Sequence, residues 1–146
     1  MNLFDLSDPA APVLADEEIL IPSTGYFWGE SEALSEPLAL QWYPEEGLLA
    51  LPVQIWGYSG DWWNYYHWEE AAVLRVRGTR IERVGALNTT TADTSESYSW
   101  WWPSYGSNPW TRLVFIGDSL YAVTRSAVRA AEIGDTVGEA WGLALR

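Results

Sequence analysis

Apolar residues in this chain gather in paired runs, each pair divided by a turn marked with Gly or Pro. Residues 38–53, LALQWYPEEGLLALPV, are interrupted only at Tyr43-Pro44-Glu45-Glu46-Gly47, with Pro early and Gly late. That pattern predicts two buried strands folded into a hairpin. Residues 111–124, TRLVFIGDSLYAVT, repeat the plan with the turn at Ile116-Gly117-Asp118-Ser119. A second apolar pair follows each hairpin. Residues 71–87 turn at Arg77-Gly78-Thr79-Arg80, and residues 126–145 turn at Gly134-Asp135. Ala127, Val128, Ala130, Ala131 and Ile133 also fit one helical face, since Ala favours helix. The turn and the repeat favour strand.

The beginning of the chain follows a reduced version of the same scheme. Residues 2–8, NLFDLSD, carry Leu3, Phe4 and Leu6 and stop at Asp8-Pro9, a turn opener. Residues 13–21 form a second extended run, and Pro12 and Pro22 leave room for at most one helical turn. Residues 23–37 are polar and Gly-rich and read as a loop carrying Tyr26, Phe27 and Trp28. Serial four-strand units are the sequence signature of propeller blades. The expectation is one all-β domain over 1–146, of roughly two and a half four-stranded antiparallel propeller-like blades. A partial blade covers 1–22. A full blade covers 38–88 and contains a Trp-rich insertion at 57–70. A last blade at 111–146 follows a Trp-rich loop at 89–110. Complete propellers use about four to eight blades, and an open stack leaves strand edges to cover. The chain therefore reads as a piece of a larger propeller, or as a subunit of a ring closed by several copies.

Charge and composition narrow the partners. Eight basic residues against twenty acidic ones give −12, and all eight are Arg. Such a surface repels phosphate backbones, which argues against nucleic acid. Cysteine is absent, so thiol chemistry, disulfides and thiolate metal sites are excluded. No apolar run reaches the ~18 residues that a membrane-spanning helix needs. The first twelve residues, MNLFDLSDPAAP, contain two Asp and no basic residue, unlike a signal peptide. Eleven Trp and eight Tyr against three Phe is a bias toward rings with one wet end, as at interfaces.

Three stretches resemble a known family: FDLSDPAAP at 4–12, SEALSEPLALQWYPEEGLLALPV at 31–53 and TRLVFIGDSLYAVTRSAVRAAEIGD at 111–135. In this order they are similar to secreted bacterial and archaeal proteins with a C-terminal β-propeller domain distantly related to WD40 repeats. The resemblance implies an exported protein, extracellular or associated with the cell envelope, with no established reaction. Glu36-Pro37 stands where that family often has an Asp-His pair, so no role of that pair carries over. The chain is also several times shorter than those proteins.

Candidate chemistry is sparse. Gly57-Tyr58-Ser59-Gly60-Asp61 lacks the final Gly and the strand–turn–helix setting of a nucleophile elbow, and reads as a turn. His67, the one His, lies between Tyr66 and Trp68 and reads as a stacking imidazole that touches solvent in an aromatic loop. With no Cys, a transition-metal site is not expected, and no cofactor is implied. Asp61, Glu69, Glu70, Asp93 and Glu96 flank the aromatic segments. Paired carboxylates hydrolyse glycosides, but solvation explains carboxylates on so acidic a chain. The sharper feature is two aromatic clusters: Trp62, Trp63, Tyr65, Tyr66 and Trp68, then Trp100, Trp101, Trp102, Tyr105 and Trp110. Such rings anchor protein partners, stack on the apolar faces of sugars, or fold onto their own sheet and seal its open edge. The first expectation is a non-enzymatic structural or interaction protein, a subunit or scaffold contacting other protein chains through these loops. The second is a carbohydrate-binding module with a glycan ligand, and the third a glycoside hydrolase.

Overall fold

The computed structural model describes residues 1–58, 65–90 and 111–145, with the backbone of 98–99 and 102–103. Among them the regular structure is strand, apart from two single 3-10 turns at Glu32–Leu34 and Pro37–Ala39. An N-terminal hairpin joins β1 (Asn2–Asp5) to β2 (Val13–Glu17). The central sheet holds β3 (Tyr26–Glu30), β4 (Gln41–Tyr43), β5 (Leu48–Tyr58), β6 (Tyr65–Arg77) and β7 (Arg80–Asn88). Two-residue strands β8 (Tyr98–Ser99) and β9 (Trp102–Pro103) pair with each other. The last sheet is a four-stranded antiparallel meander of β10 (Arg112–Ile116), β11 (Ser119–Val123), β12 (Ala127–Glu132) and β13 (Trp141–Ala144). The fold is all-β, its sheets are antiparallel, and among the described residues they do not close into a ring.

The predicted turns follow from glycine conformation. Gly47 closes the β4–β5 turn at φ +63, and a Cβ there would lie 2.7 Å from the Val76 carbonyl oxygen. Gly117 and Gly78 open the β10–β11 and β6–β7 turns with φ of +57 and +60, the sign that mirror-image hairpin turns require. The Ala-rich segment is strand β12, paired with β11 on one side and β13 on the other. Tertiary pairing thus overrides its helical propensity.

Two readings of the sequence are corrected. Residues 23–37 are not all loop, because Tyr26–Glu30 pairs with Gln54–Tyr58 as β3. The cause is the length of β5. Its first three residues pair with β4 and its last five with β3, so two short strands share one edge. Pro52 falls in the gap between them, where its missing N–H interrupts no ladder, and the Ser31 hydroxyl donates to its carbonyl at 2.6 Å. Residues 57–70 are likewise strand on both flanks: Gly57 and Tyr58 pair with Tyr66 and Tyr65, and pairing continues through Glu70. Only 59–64 between them lie outside the described residues.

Burial of both faces explains why β5, and β6 over residues 71–74, are nearly continuous in apolar residues. On one face Leu48, Ala50, Ala71, Val73 and Leu87 pack against Leu113, Leu120, Ala122 and Ala131 of the last sheet. On the other, Leu51, Val53, Ile55, Ala72 and Leu74 are covered by Met1, Leu3, Leu20 and Ile21. Three layers therefore stack like successive blades. Polar ties cross both joints. Asp16 accepts from the Ile81 amide at 3.0 Å, and Arg112 donates to Glu32 at 2.6 Å.

Candidate functional site

The long β5–β6 hairpin carries the first aromatic cluster past the end of the packed core. Strand alternation divides it between two faces. Tyr65, His67 and Glu69 share a face with Trp56 and Tyr58 of β5 and with Tyr26 and Trp28 of β3, by the observed registers. Here Trp56 stacks on His67 with centroids 5.4 Å apart, Tyr58 meets Tyr65 edge-on at 5.3 Å, and Trp28 lies 6.2 Å from Tyr58. Tyr26 and Trp28 form the exposed margin of this ridge, at 62% and 44% of their surface.

Tyr66 and Trp68 lie on the opposite face around Phe27, whose ring is 6.5 Å from Tyr66 and 5.7 Å from Trp68. Phe27 sits directly over Gly57, where a Cβ would come within 2.4 Å of its ring and of the Tyr26 carbonyl. Trp68 packs on the core, and its indole N–H donates to Glu70 at 3.2 Å. Tyr65, Tyr66 and Trp68 are thus strand residues, with Tyr65 on one face and the other two on the second. Trp62, Trp63, Trp100, Trp101, Tyr105 and Trp110 lie outside the described residues, as do Asp61, Asp93 and Glu96. Trp102 belongs to β9.

The expectation of solvated carboxylates is overturned at Glu69 and Glu70. Glu70 is buried and ion-paired with Arg83. Glu69 is 3% exposed, and among the described residues neither of its carboxylate oxygens has a hydrogen-bond partner. Its backbone is held firmly, with its N–H donating to the Thr90 hydroxyl at 2.9 Å and its carbonyl accepting from Thr89 N–H at 2.9 Å. Burial pushes the Glu69 carboxyl up to about 7. His67 Nε2 lies 3.9 Å from Glu69, and burial lowers the imidazole from its ordinary value. Both groups are therefore biased toward their neutral forms. The His67 side chain does stack, but it is buried rather than solvent-touching.

This arrangement offers flat aromatic faces at its margin and one proton-holding carboxyl beneath. Glu69 and Glu70 are neighbours on a strand and point to opposite faces, so they do not flank a common sugar. Sequence reasoning left out Trp56 and placed Tyr26 and Trp28 in a loop. The signal for both was the alternation in residues 54–58 and 26–30, visible only once β3 is known to pair there. A family model described as Beta propeller domain matches residues 1–136. No curated protein and no solved structure matches the chain.

Proposed function

The chain belongs to the Beta propeller domain family, and we propose that it is a non-enzymatic interaction subunit whose end blades and aromatic ridge contact other protein chains. A propeller domain suits an interaction or scaffold role in general. One observation carries the reading: the outermost blade faces are apolar and open. On the last sheet Val114, Ile116, Trp141 and Leu143 are exposed, and on the N-terminal hairpin the paired residues Phe4 and Leu14 are exposed. Within the chain, the equivalent faces bury against the next blade. A neighbouring chain, a further copy or a longer propeller's remainder, would cover these ends in the same way. The family resemblance to WD40-related exported proteins adds an extracellular or envelope setting to this proposal.

Ile116 and Leu143 lie on the solvent side of the last sheet, so replacing both by Asp removes apolar contact without disturbing the core. Light scattering of this double variant should show loss of the wild-type assembly, while far-ultraviolet circular dichroism shows that the separated chain keeps its strands. An assembly of unchanged mass would contradict the role of this face. A second reading, a glycan-binding module, is favoured by Trp28 and Tyr26 at the exposed margin. It predicts that soluble polysaccharide changes tryptophan emission in wild type but not in Trp28→Ala. Identical responses in the two proteins would exclude it at this ridge.

A further inference from the structure

We propose that the cleft between the turn ends of the central and last blades binds a monocarboxylate carried on an apolar or aromatic body. The cleft lies at the end of the blades where the β4–β5, β10–β11 and β12–β13 turns gather, and its volume is about 360 Å³. That is the lower range of small-ligand pockets. It is separate from the aromatic ridge and does not depend on the assembly proposed above.

Arg75 is the reason to expect an anion there. It stands on β6 opposite Leu48, and its side chain, only 9% exposed, crosses toward the last blade. Nη2 donates to the Gly134 carbonyl at 2.7 Å. Among the described residues this is the one hydrogen bond its guanidinium makes, and the buried Nε has no partner. The carboxylate beside it is Asp135, at 3.9 Å from Nη1, and that side chain is fully exposed to solvent. A guanidinium has five N–H donors in a planar fork that matches a carboxylate. A buried cation with one neutral acceptor and one distant, hydrated counter-ion is incompletely compensated. A carboxylate entering the cleft would supply the missing charge and an acceptor for Nη1.

The other lining residues define what the carboxylate is attached to. Tyr43 and Phe115 stack at 5.4 Å and 18°, forming a flat wall from one blade to the other, with Leu48 and Ile133 beside them. Arg77 adds a second, exposed cation at the mouth. Glu46, Asp118 and Asp135 line the same cleft. Phosphate or another polyanion would meet these three carboxylates, whereas a single negative charge can pair with Arg75 while its apolar body covers the aromatic wall.

The test is a nitrogen-15 NMR titration of the full chain with N-acetylphenylalanine, compared with its uncharged amide. The acid should shift the Gly117 and Gly134 amides and the Arg75 Nε–H signal in a saturable way, and the amide should not. Arg75→Gln should weaken binding of the acid by at least about tenfold, and Arg77→Gln should weaken it less. Absence of saturation up to roughly 10 mM, equal response to the amide, or unchanged affinity in Arg75→Gln would overturn the proposal. Should Arg75→Gln fail to fold, the acid–amide comparison on wild type and Arg77→Gln decides alone. A preference for the acid that Arg77→Gln diminishes supports the site, and no preference removes it.

Discussion

Replacing Glu69 with Gln should remove a pH-dependent cost that the folded protein carries near neutrality. In the unfolded chain this carboxyl titrates at its ordinary 4.5, and in the fold burial raises it to about 7. Below the lower value both states are protonated and the group costs nothing electrostatic. As pH rises through the interval the unfolded state releases its proton first, so stability declines, and the decline is complete above about 7. The difference of about 2.5 pH units, at 1.36 kcal/mol each, sets an upper magnitude near 3 kcal/mol. Gln is isosteric and cannot ionise, so its profile lacks this decline. The assay is urea unfolding of both proteins at about pH 5 and about pH 8.5. Glu69→Gln should equal wild type within about 1 kcal/mol at the acid end and exceed it by about 2–3 kcal/mol at the alkaline end. His67 titrates in the opposite sense, since a lowered imidazole costs stability as pH falls, so the difference between the two profiles is the quantity to read. Asp5 and Asp16, held below their ordinary 3.8 by hydrogen bonds, act only at more acid pH. Parallel profiles, or a wild type that gains stability across this window relative to the variant, would refute the reasoning.

Two further substitutions probe the support of the ridge. Gly57→Ala places a methyl against the Phe27 ring and the Tyr26 carbonyl at 2.4 Å. Backbone cannot yield there, so the urea midpoint should fall by the equivalent of about 2 kcal/mol, whereas an unchanged midpoint would mean that β3 does not pair with β5 as described. Arg83→Ala leaves Glu70 buried beneath Trp68 without its cation. The expected loss is about 2 kcal/mol, between the values for exposed and buried pairs, and Glu70→Gln in the same background should restore part of it.

Much of this architecture was legible because hairpins announce themselves locally. Gly47, Gly78 and Gly117 each sit where a turn needs a positive φ, and the apolar runs beside them are the strands. The β3 strand was hidden for a physical reason. Tyr26–Glu30 has no hairpin partner next to it in sequence and pairs with the far end of β5 across two 3-10 turns. The same length of β5 and β6 makes paired strand of residues that read as loop, so Tyr65 and Tyr66 part company across its two faces. Glu69 illustrates a different limit. On a chain at −12 a carboxylate beside Trp and Tyr reads as surface, and only the pairing of β6 places it under the ridge. Arg75 was invisible as a ligand group because its partner carbonyl, Gly134, lies fifty-nine residues away on another blade.

If the open blade ends are contact surfaces, the native mass of the chain, measured without denaturant, must show it. One chain weighs 16.5 kDa. Contact through these ends requires a discrete species heavier than this, either a multiple of the chain or a complex with a second protein. A single folded species at 16.5 kDa, unchanged across concentrations up to roughly 100 μM, would contradict it.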